Sequence, residues 1–503
     1  MASTEPPSFR LINGEGLEAW MNETSGELGF LYQNLDEYFL IVMGLVIYFM
    51  QCGFAFLEAG AVRAKNTTNI LLKNIMDSAI GGIVYWVCGF AFAFGNGSPF
   101  IGDSGFFLIN VDTRDYAFVF FQFVFAATAA TIVSGAMAER TEFLSYLIYS
   151  VAITGLVYPV VTHWAWSSTG WLANCCWWDE VSYQDFAGSG VVHCVGGAAG
   201  LAGAFFLGPR VGTTVEGRRV KIQYHTVPLM CLGGFILFFG FFAFNGGSQA
   251  AITGHGDGAI VGKAIINTVL SGSFAAISSM ICIKIKEKRF SILACINGML
   301  TGMVAICAGC NAVATWGAAI IGAVAGVTFF VWQELMMRVG IDDPLDAVAV
   351  HLGGGIWGVI AVTFFASDYG VLLNWNALAF KHLLWNFIGV VVIIAWTLVL
   401  SGLLFFALRR MGILRVSSVV EQQGLDISEH REPAYPSETF ANHEMEQYFR
   451  HRFTQVWEDF HAKTNGALNM TDEASVDKIE PKTIDKIEPK AIEKVEPKAI
   501  EEP

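Results

Sequence analysis

Eleven stretches of predominantly apolar residues, beginning near positions 38, 75, 116, 143, 188, 227, 258, 290, 312, 345 and 383, run through most of this chain. Each approaches the roughly 20 residues that a helix needs to cross the hydrocarbon of a bilayer. Lipid offers no hydrogen bonds, so a spanning backbone must satisfy its N–H and C=O groups within the segment, which makes these stretches helices. The expected fold is therefore an all-α, polytopic membrane protein of eleven transmembrane helices. Composition agrees: 54% of residues are hydrophobic and 15% charged, outside the range of an ordinary soluble domain. The net charge of -14 says little about partners, because the acidic residues gather outside the apolar stretches, many near the C-terminus.

Orientation follows from the short loops, since Lys and Arg are retained on the cytoplasmic side. One set of loops carries Arg63, Lys65, Lys73, Arg140, Arg210, Arg218, Arg219, Lys221, Lys284, Lys286, Lys288, Arg289 and Arg338, and the alternate set almost only Arg114 and Lys381. The N-terminus is thus expected outside and the C-terminus in the cytoplasm. Residues 1–35 form a polar extracellular segment with no signal-like core, so the first span directs insertion. Asn22-Glu23-Thr24 in that segment is a glycosylation sequon, whereas Asn66-Thr67-Thr68 lies inside and stays unmodified.

The most informative pattern occurs twice. DFAGSGVVHCVGG at 185–197 and DPLDAVAVHLGGG at 343–355 each run Asp, seven residues, His, then glycines. They open the fifth and tenth spans, which enter the membrane from opposite faces, as in a five-plus-five inverted repeat around a central pore with the eleventh span outside the symmetry. Such folds work near the midplane between repeats. His193 and His351, about two turns inside their helices, are the candidates to meet there. Histidine at membrane depth is otherwise a bonded core residue, but two in equivalent positions favour function. Asp185 and Asp343 read first as helix N-caps, with Pro344 at the first helical position and Asp185 also favouring nearby cations.

The rest of the chain points to no chemistry. The cysteines sit in apolar runs, and Cys307-x-x-Cys310 lacks the second pair that a structural zinc site needs. Neither histidine has a second ligand at metal spacing, and no nucleophile set accompanies them, so an enzyme is not expected and no cofactor or metal is implied. After Arg410 the composition changes. Phe440, Tyr448, Phe449, Phe453, Val456, Trp457 and Phe460 suggest one amphipathic helix over 438–463. From about 465 the tail is expected to be disordered, because DKIEPKTI, DKIEPKAI and EKVEPKAI repeat with a proline in each unit. His443-Glu444 begins a zinc-protease pattern that no later histidine completes. The domains are thus 1–35 extracellular, 36–410 transmembrane and 411–503 cytosolic.

Several stretches together carry a resemblance. GFAFLEAGAVRAKNTTNILLKN (53–74), SGAMAERTEF (134–143), YPVVTHWAW (158–166), DFAGSGVVH (185–193), FFAFNGGS (241–248), DDPLDAVAVH (342–351) and GLDISEHREPAYP (424–436) are similar to the Amt/Mep/Rh ammonium transporter family, and most to its plant-type branch. The resemblance covers about residues 36–436. It implies a homotrimer in the plasma membrane with one pore per subunit. Phe125 matches the outer gate phenylalanine and Phe244 the second one below it. Trp166 and Ser248, with Phe125, match the external ammonium-recruiting site, and His193 and His351 the paired pore histidines. Retention of Trp166 and Ser248 favours the Amt branch over an Rh-like ammonia or carbon dioxide channel. Position 241 is Phe where bacterial members can carry Trp. Gly424, Asp426 and Ser428 fall in the family's tail motif, implied to dock on a neighbouring subunit, and Ser428 stands where plant relatives carry a phosphorylated threonine, making a kinase an expected partner. An ammonium sensor would attach a signalling domain, for which this tail has too little apolar material.

Overall fold

The computed structural model describes residues 14–215, 218–436, 451–452 and 454–455. The chain divides after Ala434 into two units, and every helix named below belongs to the first. Among the described residues, ten helices are long and apolar enough to cross a membrane, and an eleventh apolar helix is shorter. In chain order they are α1 Ser25–Ala61, α2 Ala64–Phe94, α3 Thr113–Met137, α4 Phe143–Trp166, α5 Ser189–Leu207, α6 Val227–Gly247, α7 Asp257–Glu287, α8 Ile292–Ile306, α9 Thr315–Val339, α10 Val348–Phe365 and α11 Ala377–Arg410. The helical backbone preceding α1 begins at Gly14 and includes Asn22. The expected amphipathic helix over 438–463 and the repeats beyond it lie outside the described residues, apart from the four near 453. A two-residue antiparallel pairing, Thr214–Val215 with Arg218–Arg219, is the single strand pairing among the described residues outside isolated bridges.

Small residues set how closely the helices approach, as expected where no water drives apolar surfaces together. Gly233 of α6 lies so near α1 that an added methyl carbon would stand 2.2 Å from the Leu57 amide nitrogen. Gly322 of α9 meets the Ser271 backbone of α7 at a similar distance, 2.1 Å to its carbonyl oxygen. Large apolar side chains four apart, Phe235 and Phe239 on α6 and Val399 and Leu403 on α11, point outward and remain exposed, as a lipid-facing surface requires.

Helices α5 and α10 share one departure from regular geometry. Each opens with a π-helical turn, Ser189–Cys194 and Val348–Gly353, before becoming α-helical. π turns also interrupt α2 at Tyr85–Gly89 and α4 at Ile153–Val157, but there they fall in mid-helix. Because consecutive spans alternate in direction, α5 and α10 start from opposite faces, so the twofold pattern in the sequence becomes a pair of matched helix openings. The helices begin later than the aspartates suggest. Pro344 sits in a turn ahead of α10, not at its first position, and each histidine lies about one turn inside its helix rather than two.

The loops at the α10-opening face are joined by buried charge. Glu139, 1% exposed, accepts from Arg63, from Asn66 Nδ2 at 3.1 Å and from Arg210 Nη1 at 2.6 Å. Arg210 also pairs with Asp342 Oδ2 at 2.8 Å, and Arg415 pairs with Glu421 Oε2 at 2.8 Å. Four of the loops to which the sequence assigns excess positive charge therefore meet on one side.

Candidate functional site

Two aspartates hold the helix openings. Asp185 accepts from Gly188 N at 3.1 Å, Gly190 N at 2.8 Å and Val191 N at 2.9 Å. Asp343 accepts from Ala347 N at 3.0 Å and Val348 N at 2.7 Å. Both thus satisfy free N–H groups of a helix start, the capping role read from the sequence, but from several residues upstream. Burial lifts the Asp185 carboxyl to about 6 against the lowering effect of these backbone donors. For Asp343, burial and then neighbouring Asp346 raise it to about 7. Gly188 precedes α5 at φ 96°, a conformation that glycine alone adopts readily, and an added methyl carbon there would stand 3.2 Å from the Trp166 ring.

The matched openings bring the two histidines together. His193 Nδ1 and His351 Nδ1 are 3.1 Å apart, and the rings lie nearly parallel, 18° between planes. Two donors cannot face each other at that distance, so one Nδ1 carries the shared proton and the other accepts it, and at least one ring is neutral. The remaining nitrogens are turned to the ends of the pair. Both rings are buried, His193 completely.

An aromatic column leads to this pair from the α5-opening side. Trp166 meets Phe125 edge-on at 5.9 Å between ring centres, and Phe125 packs on Phe244 at 4.3 Å. Phe244 lies 5.5 Å from His193, with Phe241 stacked on the same imidazole at 5.7 Å. Phe125 and Phe244 are at most 1% exposed, so the column is closed to solvent. Trp166 donates its Nε1–H to the Asp185 carbonyl at 2.8 Å, which holds the indole at the column's end. Ser248, one turn past Phe244, donates its hydroxyl proton to the Phe244 carbonyl at 2.7 Å, leaving its oxygen lone pairs free to accept. The sequence-derived set Trp166, Phe125, Phe244, His193 and His351 is thus one continuous file, and Ser248 lies one turn beyond Phe244 at the end of α6.

Cys307 was not expected in this file. Its Sγ lies 3.7 Å from His193 Nε2 while donating to the Met303 carbonyl at 3.1 Å. No sequence signal marks it apart from the Cys-x-x-Cys spacing, which suggests a different chemistry. Cys307 and Cys310 are both free thiols, each bonded to main-chain carbonyls. Glu58 on α1 is the other omission, a buried carboxylate lining the same small cavity as His351.

The tail motif closes on the start of this chain's own α2. Leu425 N donates to Asn66 Oδ1 at 2.9 Å, Asn69 N donates to Asp426 Oδ1 at 2.9 Å, and Asn69 Nδ2 meets His430 Nε2 at 2.8 Å. Gly424 has φ 104° and presses on Lys65, leaving no space for a side chain. Ser428 is half-buried in the turn Asp426–His430 and donates to the Gly424 carbonyl at 2.9 Å.

Residues 38–435 match the model of the Ammonium Transporter Family. A putative ammonium transporter 1 from Caenorhabditis elegans is 46% identical over 84% of this chain and 83% of its own length. Ammonium transporter 1 member 3 from Solanum lycopersicum is 40% identical over 80% of this chain and 93% of its own. Among solved structures, one titled as a sensor Amt protein superposes with a TM-score of 0.74 at 34% identity, covering 80% of this chain and all of that one. Mep2 from Candida albicans shares the fold, with a TM-score of 0.69 over 76% of this chain and 86% of its own.

Proposed function

This chain belongs to the ammonium transporter family and is a multi-pass membrane transporter of ammonium, and from that premise we propose how its residues select the ion. Trp166, Phe125 and Ser248 recruit ammonium at the outer end, Phe125 and Phe244 exclude water, and the ion gives up a proton so that neutral ammonia passes along His193 and His351. The observation that carries this reading is the joined imidazole pair beyond a closed aromatic column.

Ammonium and potassium are close in size and equal in charge, so charge alone does not separate them. A desolvated cation on an indole face gains about 2 kcal/mol or more. A hydrogen bond involving a charged group adds about 1.5–3 kcal/mol, and the Ser248 lone pairs fit an ammonium N–H. Moving a bare monovalent ion into an apolar interior costs on the order of 20 kcal/mol in the limit, far above that return. Deprotonation removes the charge from the apolar stretch. Potassium has no proton to lose. Within the column, the imidazoles then offer ammonia one donor and one acceptor.

Voltage-clamped cells expressing the full chain test this reading. Ammonium is expected to evoke a saturable flux that potassium in excess neither carries nor blocks. Inward current with the flux means that the proton also crosses, and flux without current means ammonia alone, as an Rh-like gas channel would give. Potassium flux comparable to ammonium flux would sink the proposal.

The retained loop charges support a cytoplasmic C-terminus with the N-terminus across the membrane, and the plasma membrane, which makes that N-terminus extracellular, is the reading carried over from the family resemblance. In that orientation Asn22 is glycosylated. An endoglycosidase-sensitive mobility shift that disappears in Asn22→Gln is the expected result, and a shift persisting in the variant would contradict the assignment. The working assembly is read as a homotrimer; a native mass of one copy in detergent would contradict it.

For the cytosolic domain, 411–503, the reading is regulatory. Phosphate on Ser428 would add up to two negative charges inside the turn that holds Asp426 on Asn69. Displacement of the Gly424–His430 segment follows, and with it closure of transport. Ser428→Asp is expected to reduce uptake at least about tenfold, a loss of ~1.4 kcal/mol, with unchanged surface abundance. Full uptake by the aspartate variant would remove the tail from the mechanism.

A further inference from the structure

Beyond the histidines, on the side opposite the aromatic column, the file ends in a cavity of about 30 Å³ lined by His351, Glu58, Asn297, Gly135, Ala347 and otherwise apolar side chains. That volume admits one molecule the size of water or ammonia. Glu58 is 1% exposed and forms no ion pair among the described residues. Its Oε2 accepts from Asn74 Nδ2 at 2.9 Å and from Ser134 Oγ at 2.8 Å. Among the described residues Oε1 accepts no hydrogen bond, and it lies beside Gly135, where an added methyl carbon would stand 3.7 Å from it. One carboxylate oxygen is thus anchored while the other faces the cavity that receives whatever leaves His351.

An isolated carboxylate this deep in a membrane protein is costly unless something compensates it, and a purely structural acceptor for Asn74 and Ser134 needs no charge. Building on the deprotonation reading and the orientation above, we infer that Glu58 is the inner proton-exchange group of the transporter. Ammonia leaving His351 takes the proton from Oε1, forming an N–H bond as the O–H bond breaks, and the products are ammonium and the Glu58 carboxylate held as an ion pair in the cavity. Ammonium departs to the cytosol, and a cytosolic hydronium ion returns a proton to Oε1, releasing water. The exchange restores Glu58 and leaves no charge behind. The other titratable groups around it are Lys73 and Asp77 of α2, Tyr146 and Tyr149 of α4, His351 across the cavity, and Asp346, which Asn297 Nδ2 contacts at 3.3 Å. Lys73 is occupied by the Thr141 carbonyl at 3.0 Å and Asp77 by the Tyr146 hydroxyl, so neither replaces Oε1 in the cavity.

The test is labelled methylammonium uptake by cells expressing the full chain, with cytosolic pH clamped at several values and surface protein quantified. Glu58→Gln keeps the shape but not the exchangeable proton, and is expected to lower uptake at least fivefold and to flatten its dependence on cytosolic pH. Glu58→Asp is expected to restore part of both. Gly135→Ala covers the case in which Glu58→Gln fails to reach the membrane. Its methyl meets Leu345 Cβ at 3.4 Å and Ala347 Cβ at 3.6 Å, ordinary contacts, yet occupies the space beside Oε1. It is expected to lower uptake several-fold with the same flattening. Wild-type rate and pH dependence in either variant would overturn the assignment, as would equal loss in Glu58→Gln and Glu58→Asp with the pH dependence intact. Absence of ammonium flux in the wild-type chain would instead count against the transport reading itself.

Discussion

His193→Ala is expected to lose most ammonium transport while the protein still reaches the membrane. The imidazole is fully buried, packs on Phe241 and Phe244, and exchanges a 3.1 Å hydrogen bond with His351. Its removal leaves ammonia without one of two polar partners in the closed file, and leaves the His351 Nδ1 unpaired. An unmet buried polar group costs about 1–3 kcal/mol. At a factor of ten for each 1.36 kcal/mol, the rate falls roughly 5- to 150-fold. Labelled methylammonium uptake, normalised to surface protein, measures it. The same change at His351 is expected to act in the same direction, and the double alanine variant to fall short of the product of the two single losses because the pair acts as a unit. A rate equal to wild type in His193→Ala would remove the imidazoles from the transport path.

Glu139→Ala is expected to produce the largest loss of stability. Glu139 bridges Arg63 and Arg210 from a buried position, and both guanidinium groups would lose a charge partner at once. Breaking a buried ion pair from one side costs about 3–5 kcal/mol, because the remaining charge stays desolvated. Surface abundance should collapse and the melting temperature in detergent should drop by several degrees. Glu139→Gln, which keeps the acceptor but loses the charge, should fall between. An unchanged melting temperature in the alanine variant would show that these loops do not depend on the bridge. The neighbouring pair is protected at cytosolic pH: burial raises the Asp342 carboxyl, but Arg210 outweighs it and holds the group at about 2. A carboxyl lowered from its usual 3.8 stabilises the fold fully above that value, and the contribution disappears only as pH falls through about 2.

These two expectations draw on different kinds of information. The histidine pair was legible as a pattern: Asp, seven residues, His, repeated five spans apart. The bridge through Glu139 was not, although Glu139 lies inside a stretch that carries the family resemblance. Nothing local marks a glutamate at the end of α3 as the partner of arginines 76 and 71 residues away. Cys307 and Glu58 escaped for the same reason. A cysteine in an apolar run reads as a small hydrophobe, and a glutamate near the end of a span reads as a boundary residue, until a neighbouring helix is placed against it.

The amino-acid order alone determined that the chain crosses a bilayer, where most spans lie and which loops carry positive charge, because lipid imposes hydrogen-bond closure and apolarity on every segment separately. It also marked both histidines, since an inverted repeat writes the same local signal twice. Only the tertiary structure decided that their Nδ1 atoms meet, that the helices open in π turns several residues after the aspartates, and that one oxygen of Glu58 faces a cavity of about 30 Å³. Those facts depend on the approach of helices distant in sequence to within a few ångströms, a distance set by side-chain volumes on both partners at once.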